Sequence, residues 1–299
     1  EQALEFASRI GYPLMIRPSF VLGGRAMRII HSEEELLSYI SESVDVSNKR
    51  PVLLDRFLQN AVEVDVDAVS DGDEILICGI MEHIERAGIH SGDSSCCLPP
   101  VSLPQEIQSE LVRQAKMLVK SLKVIGLANI QFAVYRGEVY ILEVNPRASR
   151  TVPFVSKATG VPWAKVAARL MAGKKIKQLS LAQQPNPRHC SVKACVFPFN
   201  KFPGVDTILG PEMKSTGEVM GIDDDFASSF AKSQIAAGIK LPRSGAVFIS
   251  VRDSDKDELI EIAALLSEAG FKILATKGTC EFLNSKGIQA ERVKKVREG

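Results

Sequence analysis

Leu127-Ala128-Asn129-Ile130-Gln131-Phe132-Ala133-Val134-Tyr135-Arg136-Gly137-Glu138-Val139-Tyr140-Ile141-Leu142-Glu143-Val144-Asn145 settles the architecture before any other segment does. Two β-prone runs, 127–135 and 139–145, flank Arg136-Gly137-Glu138, and this predicts a hairpin. With Gly137 at the centre, Gln131 stands opposite Glu143. Asn145, two residues on, projects from the same face as Glu143. Three oxygen-bearing side chains thus meet on strands otherwise built from Ile130, Phe132, Val134, Ile141 and Val144. Hard divalent cations take oxygen ligands, and Mg²⁺ is typically held by one or two carboxylates plus substrate phosphates. A solvated sheet face explains the pattern equally well. The continuation, Asn145-Pro146-Arg147-Ala148-Ser149-Arg150, tips the balance: it adds two arginines suited to phosphoryl or carboxylate oxygens.

Upstream, a helix over 1–10 closed by Gly11 precedes a strand over 12–17. Arg17-Pro18-Ser19 and Gly23-Gly24-Arg25 follow, then a strand over 26–30. A strand-end arginine can hold a phosphate bidentately, and two glycines let backbone amides close over it. The Gly-Gly pair reads equally as a turn, and no Gly-Lys-Ser/Thr follows to make it a P-loop. Ser32 with Glu35 predicts a capping box and a helix to about Ser41; 51–57 reads as a buried strand. Over 61–69, Val62, Val64, Val66 and Ala68 alternate with Glu63, Asp65 and Asp67. There Glu63 could accept from ribose hydroxyls, or the strand could be one half of a solvated hairpin that turns at Asp71-Gly72 into 74–85. The run from Glu82 to Asp93 is dense in ionisable groups. His83 and His90 lack a third nitrogen or sulfur ligand, so hydrogen-bonding roles are favoured over zinc.

A long helix begins at Pro104, with Ile107, Leu111, Ala115, Leu118 and Leu122 at the helical period. A helix over 162–172, a Pro/Gln-rich linker near 183–187 and a strand over 191–197 follow. From about Leu241-Pro242 the grammar changes to strand (246–251), helix (255–269), strand (271–275), helix (279–286) and strand (289–293). This is the βαβαβ pattern of a parallel sheet.

The 299 residues, at about 150 per domain, predict two domains. With 37 Lys+Arg against 36 Asp+Glu the formal charge is +1, which gives no support to a nucleic-acid or acidic-membrane binder. No apolar run approaches the ~18 residues of a membrane span. Glu1, Glu5 and Arg9 interrupt any signal peptide, and a first residue other than Met reads as a piece of a longer chain. Cys78, Cys96, Cys97, Cys190, Cys195 and Cys280 have no zinc-knuckle spacing. They read as reduced thiols of a cytoplasmic protein.

These residues resemble the ATP-grasp fold and, more closely, the carbamoyl phosphate synthetase large-subunit family. The resemblance is carried by residues 16–27, 61–67, 82–94, 129–132, 143–150 and 198–204, in order along the chain. Ala275-Thr276-Lys277-Gly278-Thr279 resembles the family's methylglyoxal-synthase-like regulatory domain, which follows only its second synthetase half. The resemblance therefore implies the carbamoyl-phosphate-forming half plus the beginning of the allosteric domain. The fold class expected is α/β, in three parts. Residues 1–172 would be an ATP-grasp domain with antiparallel sheets, truncated at its N-terminus. Residues 173–238 would be a mainly helical extension, and 239–299 a truncated Rossmann-like regulatory domain.

The implied reaction is phosphorylation of carbamate by MgATP to carbamoyl phosphate. In the intact enzyme the substrates are bicarbonate, ammonia from glutamine and two ATP, and the product serves arginine or pyrimidine synthesis. The resemblance places Arg17 on the ATP phosphates, Gly23 and Gly24 in the loop over them, Arg56 and Leu58 in the nucleotide cleft and Glu63 on the ribose. Gly88, Ile89, His90 and Ser91 would close the far side. Gln131 and Glu143 would bind one Mg²⁺ or Mn²⁺, Glu143 and Asn145 a second, with K⁺ as a further ion. Arg147 and Arg150, with Asn145, would stabilise carbamate and the transferring phosphoryl group. Lys256, Thr276, Thr279 and Lys295 match positions that bind a nucleotide monophosphate effector, and Glu85 and Asp93 match part of an ornithine site. Two departures stand out: Arg56 replaces an expected His, and Ala194 replaces a Glu that helps to bind ornithine. Implied partners are a glutaminase small subunit, the rest of the large subunit and a higher oligomer, with no nucleic acid or membrane. The competing readings are another ATP-grasp carboxylate ligase, such as a biotin carboxylase relative, and a non-catalytic nucleotide-binding module.

Overall fold

The computed structural model describes residues 2–18, 27–43, 52–179, 181 and 187–295. The chain divides into two compact units, residues 1–239 and 240–299.

The first unit opens with α1 (Gln2–Ile10), β1 (Leu14–Pro18), β2 (Arg28–Ile30), α2 (Glu33–Ser43) and β3 (Val52–Arg56). The three strands form an antiparallel sheet in the order β2-β1-β3. Ser32 Oγ accepts from the Glu35 amide at 3.2 Å, while the Glu35 carboxylate accepts from the His31 amide at 2.8 Å. This is the predicted capping box with its return bond one residue early. Leu14, Ile16 and Ile30 pack on Ala7, Leu36 and Tyr39 to make a small core. Unlike the buried strand expected, β3 is an edge, with Val52 and Leu53 39% and 45% exposed. Among the described residues it pairs with β1 alone, and only its Leu54 reaches the core.

Next come β4 (Val62–Asp71), β5 (Ile75–His83), β6 (Cys96–Leu98), α3 (Gln105–Ser121), β7 (Ile125–Tyr135) and β8 (Glu138–Asn145). They are followed by α4 (Val152–Thr159), α5 (Trp163–Met171), β9 (Cys190–Val196), β10 (Gly217–Asp223) and α6 (Phe226–Ala236). Among the described residues, seven of these strands pair antiparallel in the order β10-β9-β6-β5-β4-β7-β8. The alternation of β4 now has a cause on each face. Val64, Val66 and Ala68 pack against Leu111, Ala115 and Val119 of α3, and each large aliphatic so buried contributes about 1.5–3 kcal/mol. The other face of the sheet is covered by Val152, Phe154 and Val155 of α4 and by Trp163, Val166 and Leu170 of α5. Asp65 and Asp67 are buried on β4, so this strand is interior rather than half of a solvated hairpin.

Residues 173–238 are not mainly helical. β9 and β10 extend the large sheet through β6, and α6 is the one α-helix described in that stretch. β9 is held as a strand by pairing with β6 on one side and β10 on the other, and at Gly221 the backbone of α6 rests directly on β10, at a distance that only a glycine allows.

The second unit holds β11 (Ala246–Ile249), α7 (Lys256–Glu268), β12 (Lys272–Ala275), α8 (Lys277–Ser285) and β13 (Glu291–Arg292). Its strands pair parallel in the order β11-β12-β13, around a core of Ile249, Leu259, Ala263, Ile273 and Leu283. No described helix of the chain is long and apolar enough to cross a membrane.

Candidate functional site

The β7–β8 hairpin turns on Arg136 and Gly137, at φ 52° and 79°, the two left-handed positions of a tight turn. Pairing from Tyr135↔Glu138 to Phe132↔Ile141 is therefore one residue tighter than a Gly137-centred hairpin. A bulge at Leu142 then shifts the register and sets Gln131 opposite Glu143 and Asn129 opposite Asn145. The pairing expected from the sequence is reached by a turn and a bulge that compensate each other.

β8 is the free edge of the sheet, and Glu143 is exposed on it with no ion pair among the described residues. Gln131 donates through Nε2 to Ser91 Oγ at 3.0 Å, which leaves its carbonyl oxygen for another partner. Asn145 Oδ1 accepts from Arg147 Nη2 at 3.3 Å, and Arg147 also donates to the Ala148 carbonyl at 3.1 Å. Arg147 and Arg150 are both exposed.

The segment 86–95 meets this face. Its Gly92 backbone carries the Arg150 guanidinium so closely that a Cβ there would fall 1.4 Å from a guanidinium nitrogen. His90 is tied at both ends: its amide donates to the Gly210 carbonyl at 2.8 Å, and Nδ1 accepts from the Gly92 amide at 3.0 Å. Burial, then the Arg150 charge, lower the His90 pKa, which keeps the ring neutral at physiological pH. Glu63 Oε1 accepts from the Gly88 amide at 3.0 Å, and burial raises its pKa although His83 and that amide oppose the shift. Gly88 sits at φ +97°, where a Cβ would meet the Phe57 ring at 2.9 Å, so only glycine serves there. His90, Ser91, Gln131, Glu143 and Arg150 are thus linked by contacts or near neighbours, while Gly88 is tied to Glu63. Ile89 lies between them, half-buried.

On the small sheet, Arg17 Nε lies 2.7 Å from Asp55 Oδ2, across the β1–β3 pair. Arg56 is exposed at the end of β3, and the Leu58 carbonyl accepts from the Ala61 amide. Gly23 and Gly24 lie outside the described residues. Asp93 is fully buried, its two oxygens accepting from the Lys214 and Ser215 amides at 2.7 and 2.9 Å. Glu85 accepts from the Ser95 amide. Nearby Ala194 is buried in β9. A cleft of about 370 Å³ opens beside Glu82, His83, Glu85 and Phe226, apart from the hairpin face.

In the second unit, Thr276 and Thr279 flank the N-terminus of α8, with their hydroxyls 3.5 Å apart and Ser250 Oγ 3.1 Å from Thr276 Oγ1. Lys256 Nζ pairs with Asp253 at 2.7 Å and lies over the Phe282 ring. Gly278, in the first turn of α8, is close to the same ammonium group. Lys295 follows β13, whose end is held by the Val293 amide on the Ala275 carbonyl at 2.9 Å.

Sequence reasoning missed the buried polar layer under the site. His83 Nε2 is 3.1 Å from Asp65 Oδ2, while His83 Nδ1 and Asp65 Oδ1 have no hydrogen-bond partner among the described residues. Burial opposes the charged imidazole, but Asp65 and Glu63 outweigh it and raise its pKa. Asp67, two residues on, accepts from Asn129, Ser149 and Thr151. The alternation of acids on β4 was the visible signal; their partners lie tens of residues away.

No three His, Cys, Asp or Glu side chains cluster as a metal group among the described residues. The hairpin face offers one carboxylate and two amide oxygens instead. That set suits a hard cation that takes its remaining ligands from phosphate and water.

Residues 1–179 match the family model described as carbamoyl-phosphate synthase L chain, ATP binding domain, and residues 258–299 match the MGS-like domain. The chain is 56% identical over 299 residues to a carbamoyl phosphate synthase large chain of Pasteurella multocida, covering all of this chain and 28% of that protein. It is 56% identical over 300 residues to that of Archaeoglobus fulgidus, with the same coverage. A C-terminal section of the large chain from Methanocaldococcus jannaschii is 53% identical over 308 residues, with 100% of this chain and 50% of that protein covered. Among solved structures, a biotin carboxylase from Campylobacter jejuni aligns with TM-score 0.61 at 15% identity, over 77% of this chain and 58% of that one. The biotin carboxylase domain of a 2-oxoglutarate carboxylase from Hydrogenobacter thermophilus aligns with TM-score 0.54 at 22% identity, over 65% and 43%. These two likenesses show the ATP-grasp fold. The chain spans about a quarter to a half of the length of its curated relatives, and it belongs to the carbamoyl phosphate synthase large-chain family.

Proposed function

We propose that this chain carries the ATP site at which a large chain phosphorylates carbamate to carbamoyl phosphate. The observation that supports this reading best is the juxtaposition on one sheet edge of Gln131, Glu143 and Asn145 with Arg147, Arg150 and the His90-Ser91 turn. Mg²⁺ or Mn²⁺, bound with the nucleotide, supplies charge neutralisation on the β- and γ-phosphates. The chain's own groups do the rest. Gln131 and Glu143 would hold one ion, Glu143 and Asn145 the other. Arg17 and the Gly23-Gly24 segment hold the phosphate chain, Arg56 and Leu58 line the base cleft, and Glu63 accepts from the ribose. Arg147 and Arg150 carry the negative charge that spreads over the transferring phosphoryl oxygens and the carbamate. Transfer between two such oxygens needs no protein nucleophile; alignment and charge do the work. His90, held neutral, adds no cation to compete with the arginines.

In the second unit, Lys256, Thr276, Thr279 and Lys295 form the reading for a nucleotide monophosphate effector: hydroxyls at a helix N-terminus beside ammonium groups. Of the ornithine reading, Glu85 is half-buried and accepts from the Ser95 amide, Asp93 is buried on backbone amides, and Ala194 brings no carboxylate. The intact protein on this reading works in the cytoplasm with a glutaminase small subunit, with K⁺ as a further ion, and as a higher oligomer.

The test is ATP formation from ADP and carbamoyl phosphate with Mg²⁺, the reverse of the proposed step. The chain should form ATP. Glu143→Gln should reduce the rate by roughly 10²-fold or more, the scale of removing a group that stabilises transition-state charge. Equal rates for both proteins would overturn the assignment.

A further inference from the structure

We infer that Asp67 is a positioning residue for the arginine segment: with Asn129, Ser149 and Thr151 it forms a buried knot that fixes where Arg147 and Arg150 stand. The inference rests on the phosphoryl-transfer reading above for its purpose, but not for its geometry. Asp67 is 1% exposed on β4, near the middle of the large sheet. Its Oδ1 accepts from Asn129 Nδ2 at 2.9 Å and from Ser149 Oγ at 3.0 Å. Its Oδ2 accepts from Thr151 Oγ1 at 2.7 Å and lies 3.2 Å from Ser149 Oγ. The two hydroxyls are themselves 2.7 Å apart. A buried carboxylate tolerates its surroundings only when its lone pairs are filled, and here three side chains fill them.

The position of those donors in the chain gives the knot its role. Asn129 is the β7 partner of Asn145, the last residue of β8. Ser149 and Thr151 lie on the far side of the loop, and Thr151 is also the N-cap position of α4. Its side chain makes no cap bond to that helix, because the hydroxyl is turned to Asp67 instead. The segment from Asn145 to Thr151 is therefore held at both ends by one interior carboxylate: through Asn129 beside its start, and directly at its close. Arg147 and Arg150 lie between these anchors, exposed, with few bonds of their own. Supporting groups of this kind are what hold a reacting constellation to the fraction of an ångström it needs.

The experiment uses the full chain with Asp67→Asn and the milder double variant Ser149→Ala/Thr151→Val, which removes donors and leaves β4 intact. Amide hydrogen exchange over residues 147–150 should accelerate roughly ten-fold or more in the double variant, the scale of a lost hydrogen bond to a charged group. Exchange in β4 and β7 should stay as in the wild type. In the ATP-forming assay, turnover should fall roughly 10–100-fold while the KM for ADP stays within about two-fold. Thr151→Ser, which keeps the hydroxyl, should restore both readouts. Unchanged exchange over 147–150 would overturn the inference. So would a fall in turnover matched by an equal rise in KM for ADP and by loss of protection across the sheet, the signature of a merely structural carboxylate. A wild-type chain that forms no ATP counts against the functional reading alone, and the exchange result then decides the positioning claim by itself.

Discussion

Gly221→Ala tests the contact that seats α6 on the large sheet. A Cβ at residue 221 would fall 2.1 Å from the Ser229 carbonyl oxygen and 2.5 Å from the Ser233 nitrogen, where ordinary contacts begin at 3.4 Å. Both obstacles are backbone, so no rotamer relieves them and the helix must lift from the strand by about an ångström. That lift breaks the bond from Ser229 Oγ to the buried Cys190 carbonyl, 2.8 Å long. It also loosens Phe226 and Phe230 from Cys97, Cys190 and Val192. Overpacking of this kind costs about 1–3 kcal/mol, and a buried acceptor left without its donor costs a similar amount. The two share one displacement, so the expected loss is about 3 kcal/mol. With a urea m-value of about 3 kcal/mol/M, the unfolding midpoint of the first unit should drop by about 1 M. Gly217→Ala is the control on the same strand, because its Cβ would meet nothing nearer than Val196 Cβ at 3.9 Å. It should unfold within about 0.5 kcal/mol of the wild type. Urea transitions followed by circular dichroism decide the matter, and equal midpoints for the two variants would refute the reasoning.

Asp67 should leave a signature in the pH dependence of stability. Burial raises its pKa from 3.8 to about 6 despite the three donors. Between those values the folded protein holds a proton that the unfolded chain has released, so stability falls as pH rises from about 4 to about 6. The full loss amounts to about 3 kcal/mol. The difference in urea midpoint between wild type and Asp67→Asn should change across that window, and a constant difference would contradict the assignment. The six cysteines are all buried and unpaired, and burial pushes the Cys97 thiol up to about 12 and that of Cys96 higher still. A thiol reagent near pH 7 should therefore label well under one equivalent of native protein, and all six after denaturation. Rapid labelling of the native protein would show that the sheet around the vicinal pair is open.

Much of this was legible because it is local. The hairpin was announced by Arg136-Gly137 between two β-prone runs, α3 by its helical period, and the second unit by alternating strand and helix patterns. The turn lies one residue from the Gly137 centre that the sequence predicts, yet Gln131 still faces Glu143, because the Leu142 bulge restores the register. Bulges leave no local signal that propensity can read. The same holds for β6, only three residues long, which exists because β5 and β9 pair with it. α4 was missed because Pro153 and Gly160 punctuate it and eight residues show little periodicity. The alternation on β4 by itself points to solvated or ribose-binding acids. Their burial depends on Ser149 and Thr151, more than 80 residues downstream, which no window of sequence brings beside them. Asp55 carries no local signal for the same reason: its meeting with Arg17 is a cross-strand event.

The measurement that bears most directly on the central claim is calorimetric titration of ATP into the chain with and without Mg²⁺, repeated for Glu143→Gln. If the face of Gln131, Glu143 and Asn145 holds the metal–nucleotide complex, Mg²⁺ should tighten ATP binding to the wild type by at least roughly ten-fold, and Glu143→Gln should abolish most of that gain. Binding that is indifferent to Mg²⁺, or a Mg²⁺ effect that survives in Glu143→Gln, would contradict the account.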